Sequence, residues 1–181
     1  DCIQTKKLLG SKAAFLPLGG SGKDWQQEGC AAYQQMVSRL RTAGEMAKQE
    51  GITIGIRTGM GAKFDKKLLK KVGSSLIKVY YNFQAAADHH RDICKDLRKL
   101  GAQRIVQIHA SNTDSVNLQE DSEINLPKIR KTLDKMKWSG WLVVERSRDV
   151  KRVRDVKYNF GRNIAYLKQV FQEVTVSGNN W

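Results

Sequence analysis

Four polar residues close short apolar runs and are the chain's candidates for chemistry. Arg57 ends ITIGIR, Asn82 ends LIKVYYN, His109 ends RIVQIH and Glu145 ends WLVVE. An imidazole and a carboxylate brought together can move protons, or hold a cation. A guanidinium can do neither, because it is permanently charged and offers no lone pair. It suits a carboxylate or a phosphate instead. Two arrangements are open for Arg57. It reaches across to pair with Glu145, satisfying two half-buried charges at once, or it extends to solvent past an open edge.

Several neighbours are candidates for substrate contacts. PLGGSGKDW places glycines and Lys23 between a strand and a helix. It fails the Walker pattern, since Asp24 follows Lys23 where Ser or Thr is needed, so a weak phosphate contact by Lys23 is the most it suggests. Trp25 could cover a pocket there. Arg146 and Arg148 follow Glu145 directly and could bind phosphate or carboxylate, or form ion pairs with neighbouring acids. Adjacent His89 and His90 read as surface residues, because helical neighbours point about 100° apart. Trp138 and Trp141 are expected to pack at the structural end of the fold, and Cys94 within a helix. The cysteines Cys2, Cys30 and Cys94 form no CxxC and read as free thiols of a reducing compartment, favouring the cytoplasm.

These residues need elements to hold them. Five apolar runs recur: 13–18, 52–56, 76–81, 104–109 and 141–145. Between them lie stretches with apolar residues three and four apart, such as AAYQQMVSRLRTAGEMAKQEG and LPKIRKTLDKMKWSG, and glycines at 51, 101 and 140 are expected to end helices. Alternating strands and helices imply parallel strands with right-handed crossovers. An open doubly wound sheet and a (β/α) barrel both satisfy this. No GxGxxG follows the first strand, and polar residues sit at one strand tip after another, as at the mouth of a barrel. Five units are too few for a closed eight-unit barrel of about 250 residues. The expected fold is α/β, a partial or remodelled (β/α) TIM barrel of about five parallel strands, forming a single domain over 1–172 with a tail over 173–181.

The chain of 181 residues has 32 Lys and Arg against 18 Asp and Glu, a net charge of +14. The basic residues fall mostly in KFDKKLLKK, RDICKDLRKL, PKIRKTLDKMK and RSRDVKRVRDVK, interleaved with apolar residues at helical spacing. That pattern reads as solvated helix faces, with a nucleic-acid or acidic partner suggested by charge alone. No zinc-finger spacing, RNP aromatic pair or KH loop supports nucleic acid. No apolar run nears the roughly 18 residues of a membrane span.

The order GITIGIRTGMG, LIKVYYNFQ, RIVQIHASN, INLPKIRKTLDKM and WSGWLVVERSRD resembles the xylose-isomerase-like TIM-barrel family of sugar phosphate isomerases and epimerases. The resemblance starts at what would be the fourth strand and matches the last five units, so three βα units are expected to be absent. It implies a divalent metal (Mn, Mg or Zn) held by Glu, Asp, His and Glu at four strand tips, with the glutamates moving a proton next to a carbonyl. Here Arg57 and Asn82 stand at the first two positions; His109 and Glu145 keep the last two and are the residual metal ligands. An aspartate often found three residues beyond the histidine corresponds to Asn112. The resemblance thus implies weak or lost metal-dependent activity on a small sugar or sugar phosphate, with Glu145 as acid/base and His109 as ligand or polarising donor. The alternative is a non-catalytic basic binding or scaffold protein for RNA or a complex. Open sheet edges would then take another copy or a partner chain.

Overall fold

The computed structural model describes residues 10–18, 25, 27–111 and 113–172. Five parallel strands form one sheet in the order of the chain: β1 (Ala13–Pro17), β2 (Thr53–Arg57), β3 (Ile77–Asn82), β4 (Ile105–His109) and β5 (Trp141–Val143). Helices α1 (Ala31–Gln49), α2 (Ala62–Val72), α3 (Phe83–Ala87), α4 (Ile93–Leu100), α5 (Leu126–Lys135) and α6 (Val156–Phe171) intervene or follow. The result is half of a barrel, with β1 and β5 each paired on one side among the described residues. None of the described helices is long and apolar enough to cross a membrane.

Alternation along the strands explains the layers. Ile54 and Ile56 of β2, and Ile77 and Val79 of β3, are buried in one core with Leu40, Leu68, Leu97 and Leu100 of the helices. Burial of such side chains contributes about 1.5–3 kcal/mol each. The other set, Gly55 and Arg57 with Tyr80 and Asn82, faces the concave side. Gly55 is fitted to that crowding. A Cβ there would lie 2.7 Å from Val106 Cγ1 and 3.1 Å from Tyr80 Cβ.

The helix starts use side-chain caps that satisfy otherwise unpaired N–H groups. Asp92 accepts from Lys95 N, Asn125 from Lys128 N, and Asp155 from Tyr158 N. Lys66 and Lys70 on α2, Lys95 on α4 and Lys131 on α5 are exposed, as their spacing predicts.

Some expectations need correction. The last strand stops at Val143, so Glu145 lies beyond it rather than within it. Gly140 does not end a helix, because α5 already stops at Lys135 and Lys137 takes the positive φ. A true left-handed cap falls instead on Gly73, at φ 75°. Trp138 packs as expected, its Nε1 donating to Ile105 O at the start of β4. Trp141 does not, being 74% exposed on the last strand, where the next strand of a closed barrel would cover it.

Candidate functional site

The parallel register brings the strand tips to one end of the sheet. Pro17 is level with Arg57, and Asn82 with His109. On the concave face the rings of Phe15, Tyr80 and His109 form a cluster, with centroids 4.3 Å apart for Tyr80 and His109 and 4.8 Å for Phe15 and Tyr80. His109 is buried there, 7% exposed.

Glu145 closes on His109. Its Oε2 lies 3.2 Å from His109 Nδ1, and its side chain is half exposed to the mouth. Asn82 Nδ2 stands 3.5 Å from the same nitrogen. The shorter contact assigns the Nδ1–H to Glu145, because a carboxylate only accepts while an amide N–H only donates. Burial holds the His109 pKa below its ordinary value; the Glu145 charge opposes this and the Arg57 charge adds to it. The ring is therefore neutral at pH 7. Tyr80 is pushed up to about 12, first by burial and then by Glu145, and keeps its phenolic proton.

Glu145 is placed by a device that the sequence reading missed. Ser111 Oγ, buried behind it, accepts from Glu145 N at 2.8 Å and Arg146 N at 3.2 Å. Three buried asparagines then fix the segment that follows. Asn117 and Asn163 both donate to Ser147 O, and Asn159 Oδ1 accepts from Asp149 N and from Asn117. Ser111 sits two residues past His109 in IHAS, which was a usable signal. Asn159 and Asn163 stand one helical turn apart on α6, but Asn117 lies 42 residues before Asn159, and no local pattern announces that it joins them.

Arg57 does not reach Glu145. Among the described residues it forms no ion pair, and its guanidinium lies 5.0 Å from the centroid of Phe15. The expected pairing across the mouth fails because β3 and β4 stand between the two tips. Three strand spacings are about 14 Å along the sheet, whereas His109 is on the strand next to Glu145. The alternative, full extension into solvent, is also incomplete, since the Phe15 ring holds the head group.

Asn82 has a structural duty, its Oδ1 accepting from Ala85 N as the cap of α3. Arg146 and Arg148 both grip Asp114, which their guanidinium groups hold well below the usual carboxylate range. Trp25 meets Phe64 of α2 edge to face and is not among the residues that line the mouth beside Arg57. Lys23 and Asn112 lie outside the described residues. His89 and His90 are exposed, and Cys94 is buried.

A second polar cluster lies behind the β2 and β3 tips. Thr58 Oγ1 donates to Asp65 Oδ1 at 2.5 Å and accepts from Met60 N. Arg91 donates to Gly59 O, Ala85 O and Asp96, tying both tip loops to α4. Asp65 is buried, and burial pushes its pKa up to about 6.

A cavity of about 300 Å³ opens at the mouth beside Arg57, Thr58, Asn82 and Gln84. A larger one, about 1220 Å³, lies away from this chemistry, between the two sheet ends, lined by Ala13, Trp138, Trp141 and Leu142 among others.

The donor set does not fit a divalent metal. A stable site needs three or more oxygen, nitrogen or sulfur ligands. Among the described residues no group of three His, Cys, Asp or Glu could hold one. His109 and Glu145 supply two, already bonded to each other, and the nearby formal charge is that of Arg57.

The profile of a family described as xylose isomerase-like TIM barrel matches residues 1–170. No curated protein sequence matches the chain. Among solved structures, a D-psicose 3-epimerase crystallised in the presence of D-fructose superposes with TM-score 0.74 at 14% identity, covering 94% of this chain and 68% of that one. A xylose isomerase domain protein from Planctomyces limnophilus gives 0.71 at 14% identity, covering 93% and 64%. The IolI protein with a bound zinc atom gives 0.70 at 13%, covering 94% and 68%. The chain thus spans about two thirds of the length of these structures, and at such identities the likeness is one of fold.

Proposed function

Because the chain belongs to the xylose isomerase-like TIM barrel family, we propose that its strand-tip mouth binds a small sugar or sugar phosphate and isomerises it slowly without a metal. The observation that carries this reading is the contact between His109 Nδ1 and Glu145 Oε2, 3.2 Å at the mouth. The half-exposed carboxylate is the general base. It takes the proton from the carbon next to the sugar carbonyl, and the C–H electrons move into the carbonyl oxygen to give an enediolate. The proton of the adjacent hydroxyl passes through solvent to the former carbonyl oxygen while the carbon-bound proton is returned to the former carbonyl carbon on the same face, which completes an aldose–ketose isomerisation. Epimerisation at one carbon would need a second acid on the opposite face, where Arg57 offers none. His109, neutral and stacked on Tyr80, orients Glu145 through its Nδ1–H.

Metal-dependent activity is weak or lost on this reading. The enediolate oxygen is left to neutral donors such as Asn82 Nδ2, hence a slow rate. The likeness to sugar epimerases and isomerases favours this over a scaffold or RNA-binding role. Incubation with ketoses in deuterated water, in EDTA, tests it by NMR. Slow deuterium uptake next to the carbonyl is expected, lost in Glu145→Gln and unchanged by added Mn²⁺. No uptake from any ketose or aldose would refute it, and strong stimulation by Mn²⁺ would return the site to metal chemistry.

A further inference from the structure

Resting on the sugar-binding reading above, we infer that the ligand is an anionic sugar whose phosphate or carboxylate docks on Arg57. Four arginines surround the mouth. Arg91 pairs with Asp96, and Arg146 and Arg148 with Asp114. Arg57 alone of the four has no carboxylate among the described residues. It is half-buried on the concave face, and the ring of Phe15 holds it in place. A charge that is pre-oriented and unpaired recruits an anion at little ordering cost.

The adjoining cavity fits that role. Its walls carry the side-chain amides of Asn82 and Gln84 and the backbone of Gly59, and its one acid, Asp88, is exposed at the rim. Its volume of about 300 Å³ is at the lower end of the range for small-molecule sites. With the anion at Arg57, the carbon chain of the sugar runs over Tyr80 toward Glu145. The separation that prevents Arg57 from pairing with Glu145 is thus the space a substrate fills. The planar guanidinium binds phosphate and carboxylate alike through two parallel N–H donors, so the chemistry is shared and the source is left to experiment.

Calorimetry in EDTA at low salt, with D-fructose, D-fructose 6-phosphate and D-gluconate, tests the inference. At least one charged sugar is expected to bind about tenfold to a hundredfold more tightly than D-fructose, and the stronger of the two identifies the anion. Arg57→Gln should weaken the charged sugars much more than D-fructose and so abolish that advantage, and Arg57→Lys should keep part of it. Arg57→Glu should reverse the preference between the charged sugars and D-fructose. Equal binding of neutral and charged sugars, unaffected by Arg57→Gln, would overturn the inference and leave the sugar-binding reading intact. Failure of folded protein to bind any of the three would overturn both.

Discussion

Replacing Glu145 by Gln removes the charge that raises the proton affinity of the His109 ring. The His109 pKa, already below 6.5 because of burial, should therefore fall further in Glu145→Gln. It should rise in Arg57→Gln, where a repelling charge is lost. NMR titration of the imidazole reads both shifts, and opposite signs are the test. Ser111→Ala should act like a weaker Glu145→Gln. It leaves the N–H groups of Glu145 and Arg146 without their shared acceptor, at about 1–3 kcal/mol of stability, and releases the carboxylate from the ring. Denaturant unfolding and the same titration measure the two effects together. The sequence placed His109 and Glu145 at successive strand tips, and their side chains meet at 3.2 Å. It could not name Ser111 as their support, because a serine two residues past a strand tip is an ordinary loop residue until a second segment folds onto it.

At the scale of elements, the half-barrel depends on positions where a side chain has no room or no allowed conformation. Gly55→Ala would push a methyl group against Val106 and Tyr80, costing about 1–3 kcal/mol. Val106→Ala in the same chain should recover much of that loss, and a double-mutant cycle by urea unfolding checks the coupling. Gly73 differs: its φ of 75° has open space around it. Gly73→Ala should cost about 1–2 kcal/mol from backbone conformation alone, with no rescuing partner. The strands and the long helices were legible because short continuous apolar runs alternate with stretches whose apolar residues stand three and four apart. Strand ends were less so. WLVVE reads as one run, yet hydrogen bonding to β4 ends at Val143 and the chain turns toward Ser111.

For the whole molecule, two buried groups titrate in opposition. The Asp65 pKa is raised to about 6 from 3.8, so folding favours its protonated form. Its stabilisation is complete below pH 3.8 and is lost as pH rises through about 6. His109 is lowered, so its contribution is present above pH 6.5 and is lost as pH falls through its folded value. Asp65→Asn keeps an acceptor for Thr58 and removes the first effect. Urea unfolding from pH 4 to 7 should show the parent losing about 2–3 kcal/mol relative to the variant, the His109 contribution being common to both. The sequence by itself determined the α/β alternation, the polar strand tips and the basic outer helix faces, because each is a matter of residue type at a fixed local spacing. Only the tertiary structure decided who pairs with whom. Sheet order puts β3 and β4 between Arg57 and Glu145, and so gives the carboxylate to His109 and the guanidinium to the face of Phe15. Such distances are set by how strands stack sideways, which spacing along the chain does not encode.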